Sequence, residues 1–114
     1  MRANEEVFKH HAEALGNEDI DEILADYADD AVIITKDGPT RGKEAIAGLF
    51  RGLIAEIPNA TWDLRAEVYV DDLMLLEWSV RSDKHNIEDG VDTFVFKDGL
   101  ITQQTVHLTL TPVA

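Results

Sequence analysis

The sequence predicts an α+β fold in which three N-terminal helices lie across one face of a strongly curved antiparallel sheet, with residues 1–114 forming one domain. Three features predict it. Apolar residues recur at helical spacing as far as Ile57. Beyond Pro58 the period drops to two. Two turn signals, Asp71-Asp72 and Lys97-Asp98-Gly99, then divide the second half into long strands joined as hairpins. An antiparallel sheet of that length curls, and helices on its concave face leave a conical cavity open at one end.

The first helix is predicted over about Ala3 to Leu15, where Val7, Phe8, His11, Ala12 and Leu15 share a stripe and Glu6, Lys9 and Glu13 lie largely outside it. Gly16 and Asn17 end it. Asp19, with Glu22 three residues later, starts a second helix whose inner face is Ile20, Ile23, Leu24 and Tyr27. A short apolar run, Val32 to Ile34, reads as a strand beside the helices, followed by a turn at Lys36-Asp37-Gly38-Pro39. The third helix runs from beyond Gly42 to about Ile57 on the stripe Ile46, Leu49, Phe50, Leu53 and Ile57, and Pro58 stops it. In the strand that follows, Trp62, Leu64, Ala66, Val68 and Val70 alternate with Asp63, Arg65, Glu67 and Tyr69. Met74, Leu76, Trp78 and Val80 form the inner face of the return strand; a third long strand ends in FVFKDG, and the last runs from Leu100 to about Leu110.

Composition removes several classes of function. With 23 Asp and Glu against 10 Lys and Arg, the net charge is −13, and the basic residues are scattered. Such a field repels phosphate backbones and anionic membranes, so neither nucleic acid nor membrane is an expected partner. There is no cysteine, and therefore no disulfide or thiolate chemistry. No apolar run approaches bilayer length, and MRANEEVFKHH carries no signal-peptide pattern, so a cytoplasmic location is expected. His10 and His11 diverge on a helix, and neither a His-x-x-x-His pair, a Gly-rich phosphate loop nor a nucleophile elbow occurs; no metal or cofactor is expected.

The residue that points to chemistry is Asp92. In GVDTFVFKDG, residues 90 to 99, strand alternation puts it on one face with Phe94 and Phe96. A carboxylate among phenylalanines is costly unless it is paired or protonated. Either that face is wet, or it lines a pocket.

The stretches DIDEILADYADDAVIITKDGPTRGKEAIAGLF and GVDTFVFKDGLITQQ resemble the NTF2-like superfamily, in particular its SnoaL-like and ketosteroid-isomerase-like members, and the similarity runs from Val7 to Leu110. The resemblance implies a cone-shaped, cystatin-like fold with a deep apolar pocket, and with it that Asp92 lines that pocket. Ketosteroid isomerases carry a tyrosine on the first helix, a carboxylate base on the short strand and a protonated aspartic acid on the third long strand. Those positions fall here on His11, Thr35 and Asp92, and only the last is kept. SnoaL-type cyclases also use a pocket aspartate as acid and base.

The resemblance thus implies Asp92 and His11 as catalytic residues, a pair able to exchange a proton near neutral pH. Thr35 cannot abstract a carbon-bound proton, so steroid isomerisation itself is disfavoured. Tyr27, Thr35, Phe50, Trp78, Phe94, Phe96 and Gln104 are the candidate ligand contacts. The expected ligand is a small apolar or carbonyl-containing molecule, handled by isomerase, cyclase or dehydratase chemistry. The rival readings are a pocket occupied without turnover and a dimerisation module. A homodimer is expected through the convex sheet face, where Tyr69, Ile101, Thr105, His107 and Thr109 are less charged than so acidic a chain would place in water.

Overall fold

A computed structural model describes residues 1–114. Helices α1 (Asn4–Gly16), α2 (Ile20–Leu24) and α3 (Lys43–Glu56) alternate with a β1–β2 hairpin (Tyr27–Thr35 and Gly38–Arg41) before the long strands β3 (Thr61–Val70), β4 (Leu73–Arg81), β5 (His85–Lys97) and β6 (Leu100–His107). A short β7 (Thr111–Pro112) pairs with the start of β5. The strand order is β2-β1-β6-β5-β4-β3, a curled sheet that does not close. No helix is long and apolar enough to cross a membrane.

The long strands form the antiparallel meander that the two turn signals predict. Asp71, Asp98 and Gly99 take the positive φ values that such tight turns require. Met74, Leu76, Trp78 and Val80 are all buried, as are Phe94 and Phe96 on β5. The buried stripe of α1 (Val7, Phe8, His11, Ala14) and that of α3 (Ile46, Ala47, Phe50) pack on this concave face. Their aromatic rings meet those of the sheet edge to face, with Phe8 and Phe94 centroids 5.6 Å apart.

Four expectations are corrected. First, α2 ends at Leu24, so Tyr27 opens β1 and is not on the helix's inner face. The chain is drawn into the sheet there because the Asp26 carbonyl accepts a 2.7 Å bond from the Ile101 amide. Second, the strand expected beside the helices joins the sheet itself, pairing parallel with β6, and its turn leads directly into β2. The sheet is therefore mixed: the β1–β6 pairing is parallel, and the β1–β2 hairpin and the β3–β6 meander on either side of it are antiparallel.

The third correction lies in β3, where a register shift between Leu64 and Ala66 reverses the faces beyond it. Tyr69 then stands opposite buried Met74, while Val68 and Val70 turn outward with exposures of 59% and 61%. The fourth lies in β6. A shift between Val95 and Phe96 places Ile101 opposite Phe96 in the core, and the strand ends at His107 instead of near Leu110. Thus Tyr69 and Ile101 leave the convex face, whereas Thr105 and His107, opposite Thr93 and Val91, remain on it. Thr109 lies past the strand and donates from both its amide and its hydroxyl to Asp89.

Candidate functional site

Between α1, α3 and the concave sheet lies a cavity of about 620 Å³ that is partly open to solvent. Its walls are mainly apolar: Phe8 from α1, Phe50 and Leu53 from α3, and Leu76, Trp78 and Phe94 from the sheet. The polar groups on the inner wall are few, and they converge. They are His11, Asp92 and Gln104.

Asp92 is 6% exposed. Its Oδ1 accepts from the Trp78 indole Nε1 at 2.9 Å, and its Oδ2 accepts from the Gln104 amide Nε2 at 2.9 Å. The Gln104 Oε1 in turn accepts from the Tyr27 hydroxyl. Register explains the convergence. Asp92 is opposite Leu76 on β4 and Val106 on β6, so Trp78 and Gln104 are its same-face neighbours two residues along on either side. Trp78 reaches inward because its cross-strand partner is Gly90, where a Cβ would collide with the indole ring.

Burial dominates the electrostatics of this carboxyl and pushes its pKa up to about 6, the hydrogen bonds from Trp78 and Gln104 opposing the rise. No cation pairs with it. Tyr27, fully enclosed and close to the Asp92 and Asp26 charges, has its pKa raised well above the phenolic value and stays a neutral hydroxyl.

His11 lies on the same cavity wall without bonding Asp92. Its ring sits among Tyr27, Phe50 and Phe94, with centroids 5.7, 5.9 and 5.6 Å away, and its Nδ1 is buried without a partner. Burial lowers its pKa to about 4, which the Asp26 charge only partly offsets and His10 reinforces. At neutral pH the imidazole is uncharged, so it does not oppose the rise at Asp92. A neighbouring carboxylate favours the imidazolium and burial opposes it; here burial wins.

Of the other predicted contacts, Thr35, Phe50, Trp78, Phe94 and Gln104 line the cavity. Thr35 sits near the rim, its hydroxyl accepting from the Asp37 amide at 3.2 Å. Tyr27 and Phe96 do not line it. Tyr27 stands behind Gln104, and Phe96 stacks against Phe94 at 6.1 Å in the core behind the wall. Alternation placed Phe96 on the right face but could not tell how far along the strand the cavity reaches.

Two features were not read from the sequence. One is Gly90, a strand glycine whose signal was its position two residues before Asp92. The other is Asp26, fully buried at the junction of α2 and β1, where it accepts from Arg2 Nη1 at 2.9 Å and bonds His10 Nδ1 at 2.7 Å. Asp26 sits in a run of acidic residues that otherwise face water, which hid it.

Comparison with known proteins agrees with this fold. The SnoaL-like domain family matches residues 8–104. No curated protein matches. Among solved structures, an NTF2-like protein of unknown function from Burkholderia xenovorans LB400 superposes with a TM-score of 0.80 at 18% identity, over 97% of this chain and 85% of its own. IdmH of Streptomyces antibioticus, a candidate polyketide cyclase, gives 0.80 at 17% identity over 94% of this chain and 92% of its own. A candidate ketosteroid isomerase from Kribbella flavida DSM 17836 gives 0.78 at 12% identity over 97% and 81%. Likeness at such identities shows shared fold alone, but the family match spans most of the sequence, and the chain belongs to the SnoaL-like family.

Proposed function

We propose that the cavity binds a small, mostly apolar molecule carrying a carbonyl or a polycyclic skeleton, and that Asp92 exchanges a proton with it. The reaction class is that of an isomerase, cyclase or dehydratase. One observation carries this reading: a buried carboxyl on an apolar cavity wall, held only by neutral donors, with a pKa of about 6. An acid or base works best when its pKa lies near the working pH. Each carboxylate oxygen accepts one bond and keeps a lone pair, so Asp92 can take a proton from one ligand atom and return it to another without a net change in charge. Fold relatives that are candidate cyclases and isomerases support the class. Thr35 in place of a second carboxylate argues against steroid isomerisation.

The rival is binding without turnover. It is favoured by His11, which is uncharged and unpaired and supplies no second proton-exchanging group. Asp92→Asn separates the two. With a panel of polycyclic ketones and enones, turnover by the wild type should fall at least about 100-fold in the variant, the usual scale of acid–base catalysis. Binding measured by calorimetry should persist in both proteins. Binding by both with turnover by neither leaves the binding module; binding by neither removes both readings.

We also propose a homodimer through the convex face. Ile34, Val68, Val70, Leu73 and Leu75 are all more than a third exposed there, and sheet register lines up Val68 with Leu75 and Val70 with Leu73. Light scattering should give about twice the 12.7 kDa chain mass. A mass that stays at one chain at all concentrations rejects this.

A further inference from the structure

Tyr27 touches no part of the cavity, yet its hydroxyl ends the hydrogen-bonded chain that begins at Asp92. A primary amide can present either end. If Gln104 turned over, its Oε1 would face Asp92 and favour a protonated carboxyl, which can donate; as it stands, Nε2 donates and favours the carboxylate. What fixes the choice lies on the far side of the amide. The Tyr27 hydroxyl is 1% exposed as part of its residue, keeps its proton, and has Gln104 as its one hydrogen-bond partner. Its single hydrogen therefore goes to Oε1 or remains a buried donor without an acceptor, a costly state. Donation into Oε1 also polarises the amide and strengthens the Nε2 bond to Asp92.

We propose that Tyr27 is a positioning residue: from behind the cavity wall its hydroxyl locks the Gln104 amide with Nε2 toward Asp92, and so biases Asp92 toward the ionised, proton-accepting form. The inference rests on the reading of Asp92 as the proton-exchanging group, but its test needs no substrate. Trp78 of β4 and Gln104 of β6 bond Asp92 directly. His11 of α1, Glu56 of α3, and Lys36 and Asp37 of the β1–β2 turn also border the cavity, as does His107, which lies on the convex face but ends β6 beside it; none is bonded to Asp92. No charged side chain is therefore placed to do what the amide does.

The experiment follows the Asp92 carboxyl carbon by NMR titration of aspartate-labelled protein. Tyr27→Phe removes one oxygen and should raise the Asp92 midpoint by about half a pH unit or more. Gln104→Leu should raise it further, and Tyr27→Phe should then add nothing in the Gln104→Leu background. Replacing tyrosine with 3-fluorotyrosine, a stronger donor that keeps the hydroxyl and adds only one small atom to the ring, should move the midpoint the other way. An unchanged midpoint in both Tyr27→Phe and the fluorotyrosine protein overturns the proposal, as does an equal Tyr27→Phe shift with and without Gln104. A midpoint that moves as expected in a protein that turns nothing over would leave this inference standing and the catalytic reading fallen.

Discussion

The protein buries two aspartates in opposite ways. Asp26 is enclosed at the junction of α2 and β1 with the Arg2 guanidinium and the His10 imidazole on its oxygens, and its carbonyl ties Ile101. Asp92 is almost as deeply buried, but only an indole and an amide hold it, beside an apolar cavity. The first arrangement compensates the charge and clasps the N-terminal arm, α1 and β6 together. The second leaves the charge uncompensated and the pKa high, so that proton exchange is easy. Partners, more than burial, separate the carboxylate that ties these elements together from the one we propose exchanges a proton.

The largest effect expected from this contrast is opposite in sign at the two sites. Asp26→Asn removes the anion from Arg2 and His10, and should cost about 2–3 kcal/mol, reduced from the value for a fully buried pair because both cations reach solvent. Asp92→Asn should instead raise stability at pH 7 by about 1 kcal/mol. A carboxyl whose folded pKa is raised from 3.8 to about 6 favours the fold most below pH 4, and that advantage is lost between pH 4 and 6. The full linkage is on the order of 3 kcal/mol. An asparagine must also turn Gln104 over and strand the Tyr27 hydrogen, which takes back part of the gain. Urea denaturation at pH 7 measures both, and two losses of equal size would erase the distinction.

Gly90→Ala comes next. The added methyl group collides with the Trp78 ring, which must leave its place over Gly90 and give up its bond to Asp92. Overpacking of this kind costs about 2 kcal/mol. The Asp92 midpoint should rise further, since one of the two bonds that hold it down is gone. A variant of wild-type stability with an unmoved midpoint would mean that Trp78 relaxes freely and Gly90 has no part in the site.

Much of this was legible beforehand for a physical reason: periodicity reports which face is buried. The stripes of α1 and α3, the inner residues of β4 and the pairing of Asp92 with phenylalanines all came from spacing. The errors fall where one extra residue resets the period. Nothing in Leu64-Arg65-Ala66 announces a bulge, yet it sends Tyr69 inward and Val68 outward. The parallel pairing of β1 with β6 is a contact over long sequence separation that no local pattern encodes. Within the site, Gln104 could be placed on the pocket face by alternation, but its bonds to both Tyr27 and Asp92 depend on three strands meeting, and the partners of Asp26 come from an arm and a helix far from it in sequence.

The smallest expected effect concerns the clasp and depends on pH. The hydrogen bond to Asp26 raises the His10 pKa above 6.5; burial opposes this, the Asp26 and Glu22 charges add to it, and Arg2 subtracts. A histidine with a raised folded pKa contributes stability that is fully present below the unfolded value of 6.5 and is lost as the pH climbs through the folded one. His10→Gln keeps an amide donor for Asp26 but no charge. Because the imidazole is about a third exposed, the charge should be worth only a few tenths of a kcal/mol, as for other solvent-screened pairs. The variant should therefore lie further below the wild type in melting temperature at pH 5.5 than at pH 9. Taking the difference between the two proteins at each pH cancels the contribution of Asp92, which titrates in the same range in both. A gap of the same size at both values would show that His10 serves Asp26 as a neutral donor, and that Arg2 alone supplies the positive charge at that end of the comparison.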